Sequence, residues 1–224
     1  MKYFCLILLW CFSLYGTSQC GLSKTLYLIA DFSNDKADTT NIPILISGAI
    51  NNNLVTAQQG LCGVKLKFRH PYMKDLRIEL VSPGGQKITL VGGTYAQQAT
   101  TGITWDVTFV PCQSTPSPDP GILPQWESDQ QWEIGPTYTG QYHPHIDCLE
   151  KFNLGTVNGV WTLRCMDTDD DGLPGVLLGA QLIFCQPEGL QCNDCNIDPG
   201  TINNPNIAVC ENRLLYTSSA CNEV

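Results

Sequence analysis

Charged side chains are scarce in this sequence, and basic ones are the scarcest. Asp, Glu, Lys and Arg make up 15% of its 224 residues, against about 25% in an average soluble domain. The 12 Lys and Arg face 21 Asp and Glu, which leaves a formal net charge of −9. Phosphate backbones and anionic membrane surfaces repel a protein of that charge. We therefore expect no nucleic acid among its partners.

No apolar run is long enough to span a membrane as a helix. The longest covers residues 3–15, whereas a transmembrane helix needs about 20 residues. The small residues Gly16 and Ser18 follow it, as they do before the cleavage site of a secretory signal. We interpret residues 1–18 as a signal peptide and residues 19–40 as a lead-in. The mature protein is then expected to be secreted or held at the cell surface, with no membrane insertion.

The motifs of serine hydrolases are missing as well. A subtilisin-like mechanism needs an Asp, a His and a Ser held as a triad. The sequence has three His in all and no Gly-x-Ser-x-Gly motif, and its only Gly-Thr-Ser lies in the signal segment. We expect no catalytic residue on this chain.

Cysteine, by contrast, is abundant. Removal of the signal takes away Cys5 and Cys11 and leaves ten, an even number that favours disulfides in an exported protein. We expect few or no free thiols, and we hypothesise that Cys112 pairs with Cys148. The alternative for the end of the chain is a four-thiolate zinc site made by Cys192, Cys195, Cys210 and Cys221.

The middle of the chain alternates apolar and polar residues with a period of two. Val64, Leu66 and Phe68 are separated by lysines, the pattern of a strand with one face in water. The alternation recurs, with turn residues between the runs, in 76–80, 87–90, 105–109, 161–165 and 182–185. Such a series predicts an all-β sandwich, which we place at residues 41–186.

Two regions depart from this alternation. Residues 112–148 contain more proline than a central strand tolerates, so they predict a long loop inserted in the sandwich. Residues 187–224 are rich in Asn, Cys, Pro and Gly. We interpret them as a Cys-rich tail, the start of a further module that the sequence does not complete.

Three stretches of the β-rich region carry recognisable motifs. Phe68 to Gly85 contains His-Pro-Tyr, Asp-Leu and Ser-Pro-Gly-Gly; Tyr138 to Pro144 contains Thr-Gly-Gln-Tyr-His-Pro; Asn158 to Leu163 reads Asn-Gly-Val-Trp-Thr-Leu and precedes an acidic loop. In order and spacing they resemble the P domain, also called the P/Homo B domain, over about two-thirds of the chain.

The resemblance implies both a fold and a role. The P domain follows the subtilisin-like catalytic domain in proprotein convertases, where it stabilises that domain and tunes its pH and calcium dependence, and it recurs in secreted bacterial proteins. It implies a jelly-roll β-sandwich that acts in folding, stabilisation or interaction. Its partners would be other domains of a larger secreted protein or a peptidase domain. Serine-type endopeptidase activity and proteolysis would then belong to the neighbouring domain.

Two other functions stay open at this point. The chain could be the accessory part of a secreted subtilisin-like serine endopeptidase whose catalytic domain is absent here, although a signal directly before the P-like region leaves no room for it upstream. It could also be a surface adhesin or carbohydrate-binding sandwich with a glycan or protein ligand. The candidate exposed aromatic residues for that role are Trp126, Trp132, Tyr138 and Tyr142.

The histidines have two interpretations: a metal site for His143 and His145, and a structural role for His70. His143 and His145 stand in a His-x-His pattern before Asp147, which is compatible with zinc on one face of a strand, but exposed loop histidines fit the proline between them better. His70 occupies the histidine position of the first motif, where we expect a structural role through hydrogen bonds to loop backbone.

The acidic loop is the candidate metal site. Asp167, Asp169 and Asp171 stand at positions 1, 3 and 5 before Gly172, a spacing that wraps oxygens around Ca²⁺. Leu178 stands where an EF-hand needs its bidentate Glu, which excludes an EF-hand. Calcium in a β-turn loop and a solvated acidic turn are both left open.

Overall fold

The computed structural model describes residues 30–32, 38–47, 49, 51–55, 60–93, 99–128, 130, 132, 136–169 and 172–185. Within these residues the chain forms nine strands and two 3-10 helices. The strands are β1 (Ala30–Asp31), β2 (Thr40–Ile46), β3 (Leu61–Arg69), β4 (Leu76–Val81), β5 (Lys87–Val91), β6 (Thr104–Phe109), β7 (Thr137–Tyr142), β8 (Gly159–Asp167) and β9 (Val176–Phe184). The helices are Met73–Asp75 and Leu149–Leu154.

The strands form two sheets. One has the order β1-β9-β3-β6-β7 and the other the order β2-β8-β4-β5. The strand pairs are antiparallel, except that β6 and β7 run parallel. The predicted all-β sandwich is confirmed, while the jelly-roll assignment stays a prediction.

Period-two alternation determines which side chains form the core between the sheets. Val64, Leu66 and Phe68 of β3 are fully buried, whereas the lysines between them are exposed. On β8 the buried set is Trp161, Leu163 and Cys165. Successive side chains of a strand point to opposite faces, so the apolar residues of each strand all meet the facing sheet.

The amino-terminal lead-in contributes to the sandwich. β1 pairs with β9, Ala30 opposite Leu177, and Phe32 beyond it is buried. β2 begins at Thr40 and pairs with β8 along its whole length. The signal peptide interpretation of residues 1–18 falls outside the described residues. So do the Cys-rich tail at 187–224 and the zinc site considered there. Among the residues described, no helix has the length and apolar composition to cross a membrane.

The prediction of a single long loop at residues 112–148 is wrong in part, because β7 lies inside it. The proline-rich first part of this insert covers β7, the edge strand of the five-stranded sheet. Gln141 of β7 donates its N–H to the Ser117 carbonyl (3.0 Å), and the His143 N–H donates to the Pro124 carbonyl (2.7 Å). The ends of the insert are joined by the Cys112–Cys148 disulfide, which confirms the hypothesised pairing. An uncovered edge strand is a template for aggregation, so the insert protects β7.

The prediction of exposed aromatic residues is wrong. Trp126, Trp132, Tyr138 and Tyr142 are each at most 1% exposed. They pack on one another, with ring centroids 4.8 Å apart for Trp132 and Tyr138 and 4.9 Å for the two tryptophans. The insert folds back over β7, so its tryptophans extend the core and offer no platform for a glycan.

The described cysteines are paired with one exception. Cys62 at the start of β3 is bonded to Cys185 just after β9, and Cys112 to Cys148. Cys165, which the even count grouped with the disulfide-forming cysteines, is a buried free thiol on the inner face of β8. Its apolar surroundings raise the pKa of the thiol to about 12.

Candidate functional site

Residues of the first and third motifs meet at one end of the sandwich. The pairing of β4 with β8 places Leu76 opposite Asp167. Just before β4, the Asp75 carbonyl accepts the N–H of Thr168 at 2.8 Å. The end of β3, the helix before β4 and the end of β8 thereby bring together His70, Asp75, Asp167 and Asp169.

His70 and Asp167 form a buried pair at the centre of this cluster. The His70 Nε2 and Asp167 Oδ2 atoms are 3.2 Å apart, and the two side chains are 2% and 1% exposed. The Tyr72 N–H donates to His70 Nδ1 at 3.2 Å, which leaves the proton on Nε2 to be donated to the carboxylate. His70 thus has the structural role expected of it. A Cβ at Gly175 would clash with His70 Cδ2 and with the Arg69 carbonyl, so only glycine fits there.

Asp75 is the member of the cluster that sequence reasoning missed. It is 7% exposed, and its Oδ2 atom has no hydrogen-bond partner. Burial, opposed by Lys74 and reinforced by the charges of Asp169 and Asp167, raises the pKa of Asp75 above its ordinary value of 3.8. The signal available in the sequence was the Asp-Leu of the first motif, but nothing in it linked Asp75 to the acidic loop.

Two of the three candidate calcium ligands are described. Asp167 Oδ1 accepts the N–H of Asp169 at 3.2 Å, and Asp167 Oδ2 faces His70. Both oxygens of Asp167 therefore already have a partner, and Asp169 lies close enough to raise the pKa of Asp75. Asp171 lies outside the described residues. The carboxylates that the structure brings together are thus Asp75, Asp167 and Asp169.

The three side chains of the alternative zinc interpretation do not converge. His143 Nε2 lies 3.0 Å from the Ser114 carbonyl and His145 Nδ1 lies 3.1 Å from that of Trp126. Asp147 pairs with Lys151 at 2.8 Å. Each residue has its own partner, as expected of ordinary loop residues.

In the described part of the chain, one group of three residues has its metal-ligand atoms within 4.8 Å of one another, and it lies outside the acidic cluster. It consists of Cys112, Cys148 and Glu150. Its sulfurs are joined in a disulfide and offer no thiolate. The Glu150 carboxylate accepts the N–H groups of Cys112 and Gln113 at 3.2 and 3.0 Å, so it anchors the insert.

None of the three histidines contacts a nucleophile. Their hydrogen-bond partners are the Asp167 carboxylate, the Tyr72 N–H and two backbone carbonyls, and His145 also faces Glu127. A serine-type mechanism needs an imidazole within hydrogen-bond reach of a hydroxyl. No His–Ser or His–Cys pair is formed within the described residues.

Comparison with known proteins connects this fold to one family. The proprotein convertase P-domain family matches residues 62–118. A crystal structure of Aeromonas sobria serine protease in complex with a chaperone is 15% identical with a TM-score of 0.41, over 72% of this chain and 26% of that one. A structure of the Aeromonas sobria protease gives a TM-score of 0.39 at the same identity and coverage. The chain thus spans about a quarter of those proteins. A comparison with curated proteins finds no match.

The family match contains the first of the three motif stretches, Phe68 to Gly85. It covers β3 from Cys62 onward, β4, β5 and β6, together with the connection between β3 and β4 that contains His70 and Asp75. The resemblance predicted from the sequence is confirmed for this part of the chain: residues 62–118 match the proprotein convertase P-domain family.

Proposed function

We propose that this chain is a non-catalytic P-domain module of an exported protein, which acts in folding, stabilisation or interaction with a neighbouring domain. The P-domain match at residues 62–118 carries this proposal. The neighbour is another domain of a larger secreted protein or a peptidase domain. In the second case the chain is the accessory part of a subtilisin-like serine endopeptidase, and proteolysis is the work of that neighbour.

The motif residues support a structural role because their polar groups are used inside the domain. His70 is paired with Asp167. The Asn158 side chain donates to the Ala49 carbonyl at 2.8 Å and accepts the Ala49 N–H at 3.1 Å. Trp161 Nε1 donates to the Val157 carbonyl at 2.9 Å. These contacts hold loops and strands together and leave none of these groups directed at a substrate.

The disulfides support export. Cys62–Cys185 and Cys112–Cys148 are both formed, and such bonds persist in secreted and cell-surface proteins, not in reducing compartments. A role as an adhesin is less well supported, because the aromatic side chains offered for glycan binding are buried.

Hydrolysis assays test the non-catalytic role. The purified full chain, incubated with casein and with ester substrates, should give no turnover above the buffer blank. A general serine-protease inhibitor, added to a parallel sample, identifies turnover from a contaminating peptidase. Turnover that is abolished by His70→Ala or by a single Ser→Ala variant would contradict the proposal.

We further propose that the acidic loop binds calcium through Asp167, Asp169 and Asp171. The unpartnered, buried Oδ2 atom of Asp75 beside Asp167 and Asp169 supports a cation at this place. Carboxylate oxygens are the ligands that Ca²⁺ prefers, and a bound cation would offset the repulsion among these groups. The expected affinity is that of extracellular calcium modules, with Kd about 10⁻⁴ to 10⁻³ M.

Thermal unfolding with calcium and with chelator tests the calcium site. Calcium at 100 times Kd should stabilise the native chain by about 2.7 kcal/mol. The variant Asp169→Asn with Asp171→Asn should lose this effect. Asp147→Asn, which alters an exposed carboxylate elsewhere, should keep it. Identical melting temperatures of the native chain in both buffers would show that the loop is only a solvated turn.

A further inference from the structure

A small cavity lies beside β4 and β5, outside the cluster described above. Its volume is about 130 Å³. Three of the side chains that line it are basic, and none of its described lining residues is acidic. The basic residues are Lys74, Arg77 and His145. On a chain with a net charge of −9, such a concentration of basic groups requires an explanation.

The positive charge around the cavity is only partly neutralised. Arg77 shares the buried Glu79 carboxylate with Lys87 and Arg164, at 2.8, 3.1 and 3.1 Å. One carboxylate thus faces three cations. Lys74 Nζ lies 3.8 Å from Asp75 Oδ1, which is longer than a hydrogen bond. His145 also faces Glu127 at 3.3 Å. Each basic side chain that lines the cavity therefore has a carboxylate nearby, and neutralisation is incomplete because Glu79 is shared and the Lys74–Asp75 contact is long.

Hydrogen-bond donors remain at the cavity as well. Arg77 uses Nη2 for Glu79 and, at 3.4 Å, for the hydroxyl of Thr89, but a guanidinium carries five N–H donors. The Lys74 ammonium carries three. Because both side chains are partly exposed, these donors are accessible to a ligand.

His145 is held with one ring edge toward the cavity. Its Nδ1 atom lies 3.1 Å from the Trp126 carbonyl and 3.3 Å from Glu127 Oε1. A Cβ at Gly92 would lie 2.8 Å from Cδ2 of the ring. The side of the ring with Cδ2 and Cγ thus packs on Gly92, which itself lines the cavity, and a larger residue in place of Gly92 would displace the ring.

We propose that this cavity binds the carboxylate of an acidic side chain from a neighbouring protein domain. A single carboxylate matches the volume and the remaining donors of Arg77 and Lys74, and guanidinium groups bind carboxylates with two parallel hydrogen bonds. Leu76 and the half-exposed Ile146 also line the cavity, and they offer apolar surface to the methylene groups of Asp or Glu. The identity of the partner as a protein domain rests on the proposed function. The binding of a carboxylate in the cavity does not.

Backbone amide NMR of the full chain tests this site with two matched probes. N-acetylglutamate N-methylamide should shift the amide signals of Gly92, Gly93 and Thr168 with a Kd in the millimolar range, and the glutamine analogue should not. Lys74→Gln, which leaves the Glu79 cluster unchanged, should weaken binding at least fivefold. Lys87→Gln removes the same charge from the Glu79 cluster without lining the cavity, so it should bind like the native chain.

Three results would overturn the proposal. Equal shifts with both probes would show that the charge is not recognised. Shifts with inorganic phosphate or sulfate but none with the glutamate probe would assign the cavity to an inorganic anion. Equal weakening by Lys74→Gln and Lys87→Gln would indicate general charge attraction. Hydrolytic turnover by the chain would instead refute the proposed function and leave these NMR outcomes unchanged.

Discussion

The polar residues of the P-domain motifs act as buried structural groups. His70 and Asp167 are nearly inaccessible to solvent and contact each other. A buried polar group is costly unless it has a hydrogen-bond partner, so the two residues depend on one another. The presence of His70 in the first motif and of Asp167 beside the third is thus accounted for by packing and not by chemistry on a substrate.

Removal of the imidazole should destabilise the domain. His70→Ala leaves the Asp167 carboxylate buried without its side-chain donor, and we expect unfolding in urea to show a loss of about 1–3 kcal/mol. His143→Ala, at a loop histidine whose contact is to the Ser114 carbonyl, should change stability by about 0.5 kcal/mol or less. Equal losses in the two variants would contradict the buried pair.

Cys165 should be unreactive in the folded protein. The thiol is buried, its pKa is raised to about 12, and only the thiolate is nucleophilic. Iodoacetamide should leave Cys165 unmodified in native buffer and modify it in urea without reductant, as read by peptide mass spectrometry. Rapid modification in native buffer, or a mixed disulfide at Cys165, would contradict this assignment.

At the scale of elements, the insert 112–148 is the main departure from a plain two-sheet sandwich. It supplies Trp126 and Trp132 to the core and hydrogen bonds to the edge of β7. The tryptophans also contact Phe68, Trp105 and Phe109 of the neighbouring strands. Its two ends are joined by the disulfide, and Glu150 accepts N–H groups at its start.

Loss of the disulfide of the insert should therefore be costly. Cys112→Ser with Cys148→Ser opens a loop with a sequence separation of 36, and loop-closure entropy predicts a loss of about 4 kcal/mol. The near-ultraviolet circular dichroism of the buried tryptophans should weaken as well. Cys165→Ala, which removes a sulfur but no crosslink, is the control. A double variant as stable as the control would show that packing alone holds the insert.

At the scale of the whole molecule, charge is distributed unevenly. Acidic residues dominate the sequence, yet basic residues surround Glu79 on the four-stranded sheet. The carboxylates Asp75, Asp167 and Asp169 gather at the end of the same sheet, where β4 meets β8. Among these carboxylates, Asp75 couples the stability of the domain to pH, because its pKa is raised by burial.

Asp75 should make stability fall as pH rises. Its pKa is raised in the folded state from an ordinary value of 3.8, so folding favours the protonated form. Its favourable contribution is complete below about pH 3.8 and is lost as the pH rises through the folded-state pKa. In chelator-containing buffer, Asp75→Asn should therefore gain stability relative to the native chain between about pH 4 and neutrality. A difference that is constant with pH, or that slopes the other way, would contradict the raised pKa.

The sequence by itself determined the class of fold and six of the nine strands of the described residues, but it did not predict β1, β2 or β7. Alternation in stretches such as Val64 to Phe68 is a local pattern, and one buried face per strand is enough to specify a sandwich. The motif stretch from Phe68 to Gly85 likewise predicted the match to the P-domain family, since its residues are close together in the chain. The density of proline between Cys112 and Cys148 marked irregular backbone around Pro116 to Pro124, but it concealed β7, which lies inside the predicted loop.

Only the tertiary structure decided what depends on contacts between distant residues. Alternation shows that Trp126 and Trp132 lie outside regular strands, but only the folding of the insert over β7 shows that they are buried. The even cysteine count did not reveal that Cys165 is held on the inner face of β8 as a free thiol. Asp75 joins Asp167 because β4 pairs with β8, and pairing between strands far apart in sequence is chosen by the packing of the whole core.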